Sequence, residues 1–138
     1  MSNLAETIQT LKDCTKELDT VFSIIDAKLT AQKRLLEDCC DSNGRKTEEC
    51  TDNDIKLIRT VSRDILHDQK TMLSYTNKIL SHVNRPPVGL MKEPYYKELI
   101  SYYQKMMPQM SDILTRVNEQ VLSLNPDVFH LFRRDFDA

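Results

Sequence analysis

From Leu4 onward, apolar residues recur at alternating steps of four and three: Leu4, Ile8, Leu11, Thr15, Leu18, Phe22, Ile25, Leu29, Gln32, Leu36 and Cys39. Only Thr15 and Gln32 break the stripe, and neither Gly nor Pro interrupts the stretch. Apolar heptads sustained over this length, with charged residues between them, predict a coiled-coil helix over about 3–39. Asn3, followed three residues later by Glu6, fits a helix start. Polar residues at seam positions such as Thr15 and Gln32 can set register and partner number at a cost in stability.

The pattern stops at residues 40–51, where Asp41-Ser42-Asn43-Gly44 is turn chemistry. It resumes as a second helix over about 52–84, with Asp54 in the first turn to suit the helix dipole. The same stepping gives Ile58, Val61, Ile65, Asp68, Met72, Tyr75, Ile79 and His82, so Asp68 and His82 weaken this seam. Ile55, Leu57, Leu66, Leu73, Leu80 and Val83 widen the apolar face, enough to touch two neighbours. Arg85-Pro86-Pro87-Val88-Gly89-Leu90 ends the helix, because a residue before Pro is pushed out of helical geometry. Pro94 suits the first position of a third helix over about 94–124. Its seam reads Tyr96, Leu99, Tyr103, Met106, Met110, Ile113, Val117, Gln120 and Leu124, with Pro108 expected to kink it. A short aromatic tail, 125–138, follows. The chain is thus read as a single all-α domain over 1–138, built of three long helices arranged as a coiled coil or a three-helix bundle.

Composition narrows the function classes. Gly occurs only twice and Trp not at all, which disfavours a sheet. Charged residues make up 29% with a net charge of −2 and both signs interspersed, so no basic footprint for nucleic acid stands out. No apolar run approaches the roughly 20 residues of a membrane span. The polar N-terminal stretch is unlike a signal peptide. The chain is therefore expected in an intracellular compartment, the nucleus or nuclear envelope or the cytoplasm, with Cys14, Cys39, Cys40 and Cys50 reduced.

The search for chemistry is negative at the level of motifs. There is no GxSxG, HExxH, glycine-rich phosphate loop or CxxC pair. His67 and His82 are 15 residues apart, about 22 Å along a helix. Cys39-Cys40 with Cys50, and Cys14 or a His as a fourth ligand, is the one candidate zinc set, but adjacent Cys39 and Cys40 point about 100° apart on a helix, whereas zinc sites use wider spacings. The reading is non-enzymatic: no catalytic residue, metal, cofactor or small-molecule substrate. The seam residues Leu11, Leu18, Phe22, Ile25, Leu29, Leu36, Tyr96, Leu99, Tyr103, Met106, Met110, Ile113 and Val117 are the candidate partner-binding positions. They pack either against other helices of this chain or against those of a partner. Tyr95-Tyr96 and Tyr102-Tyr103 repeat at seven residues and so share a face. Phe129, Phe132 and Phe136 fall at helical spacings, as a cap on the bundle end or an insert into a partner's groove.

One stretch resembles a known family. Pro86-Pro87-Val88-Gly89-Leu90, then Pro94-Tyr95-Tyr96, then Leu99, Tyr103 and the seam to Leu122, is similar to the coiled-coil channel nucleoporins. That is the family of the fifty-eight-kilodalton component of the nuclear pore's central channel and its fungal forty-nine-kilodalton counterpart. The family's break reads Pro-Pro-Gly-Leu, so Val88 is an insertion, and this chain has no Phe-Gly dipeptide. The resemblance implies a hetero-oligomer with other helical proteins, a coiled-coil subunit of a nuclear transport complex. The alternative is a self-contained three-helix-bundle adaptor that binds a peptide or protein surface.

Overall fold

The computed structural model describes residues 3–41 and 47–122. The chain forms an all-α three-helix bundle. Helix α1 spans Leu4–Cys39, α2 spans Asp52–Asn84 and α3 spans Pro94–Val117, continued by a single π-helical turn at Asn118–Leu122. Among the described residues, no helix is long and apolar enough to cross a membrane.

Local chemistry accounts for the ends. Thr51 and Asp54 form a reciprocal capping box at the start of α2. Asp54 N–H donates to Thr51 Oγ1 at 3.2 Å, and Thr51 N–H donates to Asp54 Oδ2 at 3.0 Å. At α1 the Asn3 side chain makes no cap bond, contrary to expectation. Its carbonyl instead accepts the Thr7 N–H at 2.8 Å. Pro94 opens α3 as expected. The α-helix also persists through Pro108, which sits on the exposed face where water can satisfy the carbonyl it leaves unpaired.

The corner between α2 and α3 is a compact anchor. Gly89 adopts φ +88°, a left-handed conformation that L side chains rarely tolerate. This lets Leu90 turn inward, fully buried, at the head of a 3₁₀ turn over Leu90–Lys92. A Cβ on Gly89 would lie 3.3 Å from Leu4 Cδ2 at the start of α1. Gly89→Ala is therefore expected to destabilise the bundle by on the order of 1–3 kcal/mol, chiefly through backbone strain. Urea denaturation of the variant checks this, and an unchanged midpoint would contradict it.

Cross-helix pairs define the directions. Lys28 meets Asp68 and Gln32 meets Ser62, so α2 runs antiparallel to α1. Tyr102 meets Asp19, Arg116 meets Asp26 and Gln120 meets Leu29, so α3 runs parallel to α1. The two links thus reverse the chain twice, and the three apolar stripes face one another. The main core runs from Leu90 and Leu11 at one end to Val117 and Val121. A second cluster, Cys39, Cys50, Ile55 and Ile58 with Leu35, Leu36 and Cys40, closes the far end of the α1–α2 hairpin.

Candidate functional site

The seam residues go into the chain's own core. Leu11, Leu18, Phe22, Ile25 and Leu29 of α1 are buried, as are Leu99, Met106, Ile113 and Val117 of α3. Tyr96, Tyr103 and Met110 are half-buried against the same core, and Leu36 is half-buried in the second cluster. In the closed bundle these positions are covered by helices of the same chain, because each link is long enough to fold its helix back. Phe129, Phe132 and Phe136, and Leu124 of the third seam, lie outside the described residues.

Two seams hold the expected stripe at Leu11, Leu18, Phe22, Ile25, Leu29, Gln32 and Cys39 of α1 and at Ile58, Ile65, Met72 and Ile79 of α2, and depart from it elsewhere. In α2 the inward positions are Ile58, Ser62, Ile65, Met72, Thr76 and Ile79, with Ile55 before them. Val61, Asp68, Tyr75 and His82 are displaced to half-buried flanks. In α1, Cys14 rather than Thr15 faces inward. The reason for the α2 departure lies in α1. Gln32 is fully buried, and its Nε2 donates to Ser62 Oγ. Gln120, in the turn after α3, donates from Nε2 to the Leu29 carbonyl at 2.9 Å and to Gln32 Oε1 at 3.4 Å. One polar knot thus joins all three strands of the bundle, and a buried amide is stable only where such partners exist. Gln32→Ala, which leaves buried Ser62 without its partner and Gln120 with the Leu29 carbonyl alone, is expected to lower stability by about 1–3 kcal/mol. Thermal melting checks this, and a variant as stable as the parent would show that the knot contributes nothing.

All four paired tyrosines of α3 pack against the main core, and Tyr95 and Tyr102 also make specific contacts with α1. Tyr102 OH donates to Asp19 Oδ1 at 2.9 Å and lies 3.2 Å from the Thr15 carbonyl. Lys12 Nζ lies 5.5 Å above the Tyr95 ring. The seven-residue repeat of tyrosine pairs could have revealed this staple, since each pair offers two phases. Burial, and then the Asp19 carboxylate, push the Tyr102 hydroxyl far above its usual range.

Outward features are few. A groove of about 310 Å³ between α1 and α3 is lined by Phe22, Ser23, Asp26, Gln109, Asp112, Ile113 and Arg116. Its one cation is already engaged, since Arg116 Nη1 is 2.5 Å from Asp26 Oδ1 and 3.8 Å from Asp112 Oδ2. A second groove of about 270 Å³ on α2 gathers Lys56, Arg59, Thr60 and Arg63. Among the described residues, the exposed large apolar side chains are Ile24, Leu57, Val88 and Met91, with Val88 99% exposed.

A cluster that the sequence showed only in part lies at the hairpin end. Cys39 Sγ, Cys50 Sγ and an Asp54 carboxylate oxygen all lie within 4.8 Å of one another. The backbone brings them together. Thr47 N–H donates to the Cys39 carbonyl at 2.8 Å, Cys50 N–H donates to the Thr47 carbonyl at 3.3 Å, and the capping box then starts α2. Both thiols are buried, and all four cysteines are free. Burial first, then the hydrogen bond with Cys50, pushes the Cys39 thiol up to about 12. The Thr51 bonds, backbone first, hold the Asp54 carboxyl below its ordinary value. The signal in the sequence was Cys39 and Cys50 on either side of one turn, with Asp54 a helical turn beyond Cys50. Grouping Cys50 with Cys39 and Cys40, and seeking the further ligand in Cys14 or a His, passed over Asp54.

These protonations set an alkaline limit. Cys14, Cys39 and Cys40, with Tyr95 and Tyr102, all hold their protons more tightly folded than unfolded, burial being the largest cause in each. Their contribution is complete below the ordinary thiol value of 9.0 and is lost as pH rises toward the folded value of about 12 for Cys39. Denaturant unfolding of reduced protein should give a flat stability from neutrality to about pH 9, then a steady fall. Stability that rose above that pH would contradict the burial of these groups.

No family model matches the chain, no curated protein or solved structure matches it, and so nothing among these comparisons identifies a nucleoporin.

Proposed function

We propose that the protein is a self-contained three-helix-bundle adaptor that engages a protein surface through the outside of its bundle. The observation that carries this reading is the closure of all three seams within one chain, tied by the Gln32–Ser62–Gln120 knot. An adaptor of this kind needs a rigid frame and outward contact points. The basic groove of Lys56, Arg59 and Arg63 on α2, next in sequence to half-exposed Leu57, offers charge and an apolar anchor together. A partner segment with acidic and apolar residues has the complementary chemistry.

A second reading is pairing with partner helices in a larger assembly. A channel-nucleoporin-like trimer built on the main seams would have to open the bundle. Exposing residues such as Leu18, Ile25 and Leu29 costs about 1.5–3 kcal/mol each unless the partner covers them again.

Light scattering on the purified chain tests the adaptor reading. A 16.1 kDa species that persists across the accessible concentration range, and remains when a co-purified partner is stripped off, is the expected result. A higher-mass assembly that survives dilution, or a chain that becomes helical only on mixing with a partner, would overturn it.

A further inference from the structure

We propose that Cys39, Cys50 and Asp54 form a binding site for a thiophilic divalent cation, Zn²⁺ by its donor chemistry, at the closed end of the α1–α2 hairpin. Three donors of two kinds converge there, within 4.8 Å of one another. Tetrahedral zinc with sulfur at about 2.3 Å and oxygen at about 2.0–2.2 Å requires ligand atoms about 3.5–3.8 Å apart. The ligand atoms therefore need to close by at most about 1.0–1.3 Å, within the reach of small χ adjustments. A solvent oxygen takes the fourth position.

The third donor distinguishes this arrangement from a simple pair of thiols. A disulfide would join Cys39 to Cys50 and leave the Asp54 carboxylate to the capping box alone, whereas a cation uses all three donors. Asp54 is also held in place. The capping box takes one lone-pair position of its carboxylate through the Thr51 N–H and fixes the group, as an outer-shell bond does for a metal ligand. Buried thiols that keep their protons in the free protein give them up to a soft cation. The balance is one Zn²⁺ bound, two S–H bonds broken and two protons released to solvent, leaving a site of net charge −1. No oxidant or reductant enters. Bound there, the ion clamps the end of α1 to the start of α2.

Titration of the reduced, full-length protein with Co²⁺, then Zn²⁺, tests the site. One Co²⁺ per chain should bind with a thiolate-to-cobalt charge-transfer band, and Zn²⁺ should displace it. Weakly buffered solution should register about two protons released per ion. Cys39→Ser and Cys50→Ser should abolish the band, and Asp54→Asn should weaken binding by at least about tenfold. Cys14→Ser, in the main core, should leave the stoichiometry unchanged. Circular dichroism before titration shows that each variant is folded, and Asp54→Asn, outside the core, keeps the test open if a cysteine variant is not. Three results would overturn the proposal. They are no stoichiometric cation on the reduced protein, a charge-transfer band that survives in a folded Cys39→Ser or Cys50→Ser variant, and affinity unmoved by Asp54→Asn.

Discussion

Leu29→Asp is expected to unfold the bundle outright. Leu29 is fully buried in the main core, at the level where Gln120 bonds to its carbonyl. A carboxylate there has no cation to pair with, and burying it unpaired costs several kcal/mol, or else it must take up a proton. Small domains are stable by only about 5–15 kcal/mol, and loss of the Leu side chain adds about 2–5 kcal/mol. Ile113→Asp, 3% exposed on α3, should behave in the same way. Circular dichroism at neutral pH is the check. Variants that keep parental helicity and parental midpoints would show that these positions do not face the core.

A second large effect separates two near neighbours on α1. Phe22 is among the largest fully buried side chains, at 1% exposure, whereas Ile24 is 42% exposed. Phe22→Ala removes a ring from a packed interior and should cost about 3–5 kcal/mol, through lost transfer energy and the cavity left behind. Ile24→Ala should change stability by less than about 1 kcal/mol, since surface positions rarely matter more. Urea unfolding of both variants with unchanged m-values measures this contrast. Similar losses at the two positions would mean that α1 is rotated from the face described above, or that a partner covers Ile24.

Much of this architecture was legible in the residues. The heptad stripe and the Pro-Pro-Val-Gly-Leu break place the three helices, and α2 begins and ends where the pattern says, at Asp52 and Asn84. Stripes do not say what covers them, however. A coiled-coil seam and a bundle seam use the same residues, and only the way the links fold decides between them. The alternate positions of the α2 stripe were misread for a related reason, while Ile58, Ile65, Met72 and Ile79 face inward as expected. Val61 and Tyr75 look like better core residues than Ser62 and Thr76, but Gln32 on another helix needs a polar partner. The residue facing it is therefore Ser62, and a tertiary contact outweighs local hydrophobicity. The regular third helix also ends earlier than its stripe, at Val117, where a π turn swings Val121 inward in place of Gln120 and sends the Gln120 amide across to α1.

The cysteine–aspartate cluster was hidden differently. Its members come from a helix end, a loop and a capping box, three local features each with an ordinary explanation of its own. Their convergence depends on the Thr47–Cys39 backbone bond, which no linear spacing rule encodes. The tyrosine staple was partly visible, since a repeat of seven put the rings on one face. Which member of each pair makes specific contacts with α1 depends on the parallel alignment of α3.

Hydrogen–deuterium exchange on the dilute, isolated protein tests the claim on which the rest depends, that one chain closes its own seams. Amides beside Leu18, Ile65 and Leu99, one on each helix, should be protected to a similar degree, and dilution should not change that. Protection confined to α1 and α2, or appearing in α3 only as concentration rises or a partner is added, would contradict it.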